Sequence, residues 1–198
     1  MNSILVLLFS FMGVAMAIEE PAYTVVSNTH GYEVRRYDAI LVAETQVNSS
    51  FEDAGNLAFK ILAGYIFGAN QSKTKIAMTA PVNQEKIKMT APVTQLKDSS
   101  CFLVQFTMPK QYTLETLPIP NDSRVKLRKI LPRTIAVFSY SGSWSESRYY
   151  EKLKEFKYKL DKDAVFTNGE PVLARFNSPF QLWFLRRNEI WIEIINPN

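Results

Sequence analysis

The sequence predicts an α+β fold: pseudo-twofold duplicated ββαββ units forming a curved antiparallel sheet or distorted barrel, with two helices packed on it. Three observations predict it. Two segments place apolar residues at helical spacing behind a Ser-x-x-Glu box. The residues ahead of both helices share one spacing of strand, two-residue turn and strand. The remaining apolar runs are short and bounded by turn residues, too few in either half to cover a helix alone.

In the first half, Tyr32–Tyr37 and Ile40–Val47 read as strands around a tight turn at Asp38-Ala39. Ser49 and Glu52 form a capping box, and Phe51, Ala54, Ala58, Ile61 and Tyr65 recur at i, i+3 or i+4, so a helix follows. Gly68 and Asn70 supply its stop. Strands are expected over Lys75–Val82, Lys86–Thr94 and Cys101–Met108. The second half repeats the order, with strands at Val125–Leu131 and Thr134–Tyr140 and a helix opened by Ser143 and Glu146. That helix shows Tyr149, Leu153, Phe156 and Leu160 on one face. A turn at Asn168-Gly169 and strands at Val172–Phe176 and Glu189–Ile195 complete it. The halves cover about 22–108 and 124–196, with the proline-bearing segment 109–123 as linker, and one domain over 18–198 is expected.

Composition excludes more than it suggests. With one Cys and one His there is no intramolecular disulfide, no Cys-based zinc site and no His-pair metal site. Cys101 opens a strand, where burial keeps a thiol inert. The net charge of +4 is mild, and the Lys-rich stretch 152–162 alternates with apolar and acidic residues as a solvated helix face does. Nucleic acid is therefore not an expected partner. Weak contact with an anionic membrane surface fits the charge. A monomer is expected.

Residues 1–17 hold no charge and 13 of them are apolar, which sets them apart from everything that follows. The run Ile4–Val14 has the length of a signal-peptide core, and Ala15-Met16-Ala17 reads as a cleavage site. An exported, periplasmic or secreted protein beginning at Ile18 is expected; an uncleaved membrane anchor is the alternative. In a eukaryotic secretory pathway Asn48, Asn70 and Asn121 would be glycan acceptors.

The loudest local feature is a tandem near-repeat, KIAMTAPV at 75–82 and KIKMTAPV at 86–93, separated by Asn83-Gln84-Glu85. It reads as a hairpin whose methionines fill core gaps, or alternatively as one whose Met78 or Met89 lines a ligand cavity. Together with YEVRRYD at 32–38 and NSPFQLWFLRRNEIW at 177–191, the doubled motif resembles the SOUL family of haem-binding proteins. The similarity spans the chain from about residue 20 onward, and MPKQYTLETLPIPND resembles the middle linker of exported bacterial members. The resemblance implies the duplicated fold and non-enzymatic binding of haem or iron-free porphyrin, for carriage, buffering or sensing. More distantly it links the fold to ligand-binding domains of multidrug-responsive regulators, which take up amphipathic small molecules, and to hydrolases that use a pocket carboxylate.

A tetrapyrrole needs an apolar slot, cations for its propionates and, for tight iron ligation, an axial side chain. The first helix offers the apolar stripe Leu57, Ile61, Leu62, Tyr65 and Ile66 as a floor, with Lys60 its only basic residue. Some family members carry a histidine immediately before the tyrosine of YEVRRY; here Arg36 takes that place. His30, at the entry to the same strand, is the remaining candidate axial ligand, although a histidine before a glycine is more often a loop residue. Met78, Met89 and Tyr65 are weaker candidates, and Arg36, Lys75 or Arg187 could pair with propionates. Glu189, beside two arginines, is the residue a hydrolase would use, but a structural ion pair explains it better. The aromatic run Phe180–Phe184 is expected to fold back on the core, with a docking patch as the alternative.

Overall fold

The computed structural model describes residues 18–29, 31–87, 100–177 and 180–195. Among them the elements run β1 (Tyr23–Thr29), β2 (Tyr32–Tyr37), β3 (Ile40–Ser49), α1 (Phe51–Ile66), β4 (Val82–Ile87) and β5 (Ser100–Thr107). The second half supplies β6 (Lys126–Ile130), β7 (Arg133–Tyr140), α2 (Glu146–Lys162), β8 (Thr167–Arg175) and β9 (Asn188–Ile194).

All the strands join one antiparallel sheet in the order β1-β2-β7-β9-β8-β4-β5-β3-β6. The duplication is visible in that order, because β3-β5-β4 of the first half matches β7-β9-β8 of the second. The pseudo-twofold axis passes between β4 and β8, where Asn83 faces Ala174 and Gln84 faces Leu173. The first strand of each unit crosses to the other half, β2 pairing with β7 and β6 with β3. The expected tight turns therefore join strands that do not pair. Asp38-Ala39 links β2 to β3 across nearly the whole strand order, and Leu131-Pro132 links β6 to β7 in the same way. Such a link reaches at most about 11 Å, so the sheet must curl.

One face of the sheet takes both helices. Val34, Ala43, Val104, Phe106, Phe138 and Ile190 belong to the buried cluster that also holds Ala58 and Leu62 of α1 and Leu153, Phe156 and Leu160 of α2. Phe138 stacks on Phe156 at 5.4 Å, and Phe51 meets Tyr149 at 5.0 Å, so the two helices share one core. Tyr37, Val137, Val172, Ala174 and Trp191 form a second apolar cluster on the other face.

Local chemistry moves several expected boundaries. Ser49 is still paired with Ser100, so the sheet claims it, and Ser50 caps α1 by accepting from the Asp53 N–H. Ser145 rather than Ser143 caps α2, accepting from the Arg148 N–H. The expected strand over 75–82 is irregular up to Pro81, with Ile76 and Ala80 buried and Met78 exposed. β4 instead runs through Asn83-Gln84-Glu85, the expected turn. The Gln84 amide donates to the Phe51 carbonyl at 3.0 Å and its oxygen accepts from Arg175 at 3.0 Å, so polar residues are drawn into the sheet. The second repeat, with Met89, lies outside the described residues. Asn168-Gly169 is no turn but a bulge inside β8, where Gly169 has φ 78° and the register shifts. β1, mostly exposed and paired only with β2, had no periodicity to announce it.

Arg175 crosses the seam between the halves. It is buried, lies 5.1 Å over the Trp144 ring, and burial draws its pKa down to about 10. Room for it comes from Gly55 of α1, where a Cβ would stand 2.3 Å from the guanidinium Nη1. Gly→Ala inside a helix ordinarily stabilises by about 0.5–1 kcal/mol. Gly55→Ala is expected to do the opposite, lowering stability by about 1–3 kcal/mol through overpacking, as a fall in the urea midpoint will show.

Candidate functional site

Leu57, Lys60, Ile61 and Gly64 follow one another at i, i+3, i+4 and i+7, along the flank of α1 that the sheet does not cover. Gln46–Asn48 of β3 form the opposite wall, and Tyr65, Ala69, Asp122 and Arg124 close the end. The groove between them encloses about 510 Å³, within the roughly 300–1,000 Å³ typical of small-molecule sites.

Each wall has a structural cause. The segment 109–123, expected as a linker, is laid against the end of α1. Gln71 donates to the Ile119 carbonyl and Asn121 to the Ala69 carbonyl. Asn70 is fully buried, its amide donating to the carbonyls of Tyr65 and Thr74 while its oxygen accepts from the Thr74 N–H. That commitment also withdraws Asn70 as a glycan acceptor in the folded chain. The segment in turn delivers Arg124, held by Asp122 through an Nη2–Oδ2 contact of 2.6 Å. Arg124 is a groove cation that sequence reading missed, because it follows a turn and belongs to no periodic pattern.

Gly64 shapes the floor. A Cβ there would meet only that of Ala69, at 4.0 Å, so packing does not demand the glycine. Its effect is to leave helix backbone bare, a flat surface against which a planar ring can lie. Tyr65 contributes only its ring. Its hydroxyl donates to the Pro118 carbonyl at 2.8 Å, and burial, reinforced by Tyr112, pushes its pKa up to about 12. Iron ligation by Tyr65 would therefore require its hydroxyl to leave the Pro118 carbonyl and the proton to be displaced from a buried phenol. Among the described groove residues there is no His, Cys or Met.

A profile of the family described as SOUL heme-binding protein matches residues 18–193. The chain belongs to the SOUL haem-binding protein family. It is similar to Heme-binding protein 2 of Homo sapiens, 28% identical over 184 residues that cover 90% of this chain and 87% of the relative. Heme-binding protein 1 of Xenopus tropicalis is 23% identical, covering 81% of this chain and 82% of its own. In fold the chain is similar to the EcmrR C-terminal domain, with a TM-score of 0.61 at 9% identity, covering 88% and 98% of the two chains. It is also similar in fold to a hydrolase from Listeria innocua, with a TM-score of 0.56 at 10% identity, covering 86% and 94%.

In this SOUL protein, the groove brings together four of the residues singled out by sequence: Leu57, Lys60, Ile61 and Tyr65. The others lie elsewhere: Leu62 and Ile66, expected in the floor, face the core between helix and sheet. Arg36 is exposed on β2, and Met78 is exposed in the irregular segment before β4. Neither lines the groove. His30 and Met89 lie outside the described residues. Arg187 is engaged with Glu20 and Glu189. Cys101 is buried, and burial raises its thiol pKa.

The face of the sheet away from the helices carries the other charged cluster. Glu189 is 1% exposed and accepts from Arg35 at 3.1 Å, from the Trp191 indole at 2.7 Å and from Ser139 at 3.3 Å, with Arg187 3.3 Å away. These donors and the neighbouring guanidinium make Glu189 the counter-ion of a buried polar cluster. Further along that face Glu85 behaves differently. Burial, aided by Glu170 and Glu44, raises its pKa against the pull of Arg133 and Arg128. The folded state thus holds this proton more tightly than the unfolded chain, and its contribution to stability is lost as pH rises through the folded pKa. Glu85→Gln is expected to raise the urea midpoint at neutral pH. The gain should shrink to nothing as pH falls below the ordinary carboxylate range; an equal gain at all pH values would contradict this assignment.

Proposed function

We propose that the α1 groove binds haem and iron-free porphyrin through the ring rather than the iron, in carriage or buffering rather than catalysis. The observation that carries this reading is the bare helix backbone at Gly64, set between an apolar stripe and two cations, in a member of a haem-binding family. Leu57 and Ile61 cover the macrocycle's apolar area, the main source of affinity. Lys60 and Arg124 flank the groove and pair with the propionates, in the second case by exchange with Asp122. Haem iron, when bound, would supply an open coordination position. Nothing in the described groove residues is chosen to fill it.

Two cations at the rim also favour a flat anionic ligand over the lipophilic cations that a general amphipathic pocket would accept. Export is part of the proposal. The fold engages the chain immediately beyond Ala17: the Glu19 carbonyl accepts from the Ala80 N–H, and its carboxylate from the Lys110 N–H.

Absorbance titration tests the site. Haemin and protoporphyrin are expected to bind with micromolar constants, about −8 kcal/mol, differing by less than about fivefold because no axial bond separates them. Unchanged Soret spectra for both at concentrations on the order of 10 µM would sink the reading. A large preference for haem would place an iron ligand in the site.

A Gly64 series separates the groove from the fold. Gly64→Ala is expected to stabilise by about 0.5–1 kcal/mol, and Gly64→Leu, whose side chain occupies the groove, to weaken porphyrin binding about tenfold, some 1.4 kcal/mol. Removing Lys60 or Arg124 should cost less than about fivefold each, as exposed pairs do. Equal binding by wild type and Gly64→Leu would move the ligand elsewhere.

A further inference from the structure

The expectation that Phe180–Phe184 folds back on the core is not met. Phe180 is 96% exposed and Trp183 61%, and Leu182, Phe184 and Leu185 each show more than half of their surface. The backbone enforces this display: Trp183–Leu185 form one 3-10 turn, closed by the Leu185 N–H to the Leu182 carbonyl. The turn stands on a braced base. Arg186 donates to the Gln181 carbonyl at 2.9 Å and lies 4.2 Å over the Trp144 ring. Arg187 lies 3.5 Å over Phe176 and pairs with Glu20 at 2.7 Å. An apolar tip on a rigid, cationic base is a built surface, unlike a side chain that has merely failed to pack.

The pairing of Arg187 with Glu20 ties this tip to the other apolar feature of the chain. Glu20 stands three residues beyond Ala17, where the uncharged run 1–17 ends. The described chain therefore begins on the same side of the domain as the tip. The stretch 177–187 contains two arginines and no carboxylate; Arg187 is countered by Glu20 and Glu189, Arg186 stands at the foot of the tip, and the whole chain carries +4. Aromatic and leucine side chains beside arginines are the composition that settles at the boundary between lipid headgroups and acyl chains.

We propose that Phe180–Leu185 docks into the headgroup boundary of an anionic lipid bilayer, on the side from which the N-terminal run leaves the domain. A single small apolar element gives only weak, reversible attachment, and a second signal beside it makes attachment firm. The loop is that second signal while the run is present. Once the run has been removed, the loop alone leaves a surface contact that releases readily. The groove on α1 shares no residue with the loop, so docking leaves it open.

The chain's three tryptophans provide the test. The full chain is mixed with phosphatidylcholine vesicles containing a minor fraction of phosphatidylglycerol, with plain or brominated acyl chains. Brominated lipid is expected to quench the emission, and Trp183→Phe to abolish most of that quenching. Trp191 is buried and Trp144 lies under Arg186, while residues 1–17 contain no tryptophan, so the signal reports the loop whatever the run does. A triple variant, Phe180→Ser with Leu182→Ser and Phe184→Ser, alters only exposed side chains and keeps Trp183. It should retain the wild-type circular dichroism spectrum, with quenching reduced at least fivefold even where the chain still sediments with vesicles. Trp183 left unquenched in vesicle-bound wild type overturns the proposal. Equal quenching on purely neutral vesicles overturns its anionic part. Lipid-free dimerisation that the triple variant abolishes, read by ultracentrifugation, makes a second copy the occupant and overturns it as well. Porphyrin titration of the same samples is independent, so failure here is distinguishable from failure of the groove.

Discussion

Two links of two residues each govern the architecture. Asp38-Ala39 and Leu131-Pro132 carry the chain from one half of the sheet to the other, between strands that stand far apart in the strand order. A link of that reach cannot cross an open, flat sheet. The sheet curls, both helices fall on one face, and β2 and β6 flank the opposite half. The exchange has an energetic consequence. Neither half keeps its own first strand, so neither can close its core without the other, and the halves are bound to fold as one cooperative unit.

The exchange also sets what happens at the pseudo-twofold axis. β4 and β8 meet there, beside the first turn of α1. Gln84 adds a second donor to the Phe51 carbonyl, beyond the one the helix supplies, and its oxygen accepts from Arg175, while Gly55 makes room for the guanidinium. Polar residues at a seam cost stability relative to apolar packing but penalise a slipped register, because each misplacement strands a buried donor or acceptor. The Arg35–Glu189 pair has the same character on the opposite face, with side chains 6% and 1% exposed. Removing Arg35 leaves buried Glu189 with Arg187 as its remaining cation, and removing Glu189 leaves buried Arg35 with Glu33 alone, so either change weakens the compensation of a buried charge.

These polar commitments explain where the sequence was legible. Tyr149, Leu153, Phe156 and Leu160 repeat with the helical period, and all four are buried, so α2 could be read directly. The Leu57, Lys60 and Ile61 side of α1 was legible for the same reason: a stripe wider than one core requires leaves a flank over. β4 was not legible, because its middle is Asn-Gln-Glu and only the partners of Gln84, distant in sequence, make it a strand. The bulge at Gly169 looked like a turn, since a positive φ serves both. Arg124 and the exposure of Trp183 depend on how a segment is laid against the fold, and side-chain periodicity carries no trace of that.

The described groove residues include no His, Cys or Met, and this bears on the binding mode proposed for the ring. A ring held by apolar contact and two exposed cations has little to slow its escape. At a micromolar constant and an ordinary association rate of about 10⁶ M⁻¹s⁻¹, the complex lives for about a second. In the proposed complex, such a lifetime would suit handing a ring onward and would be too short for keeping one as a permanent prosthetic group. It also fits the rigidity of the site. Gly64 and the stacked segment 109–123 form the floor and one end of the groove before any ligand arrives, so binding need not order a loop and release need not wait for one to open. A tight axial bond would add affinity at the expense of that exchange. Arg36, immediately before the tyrosine that ends β2, is exposed and lies outside the groove.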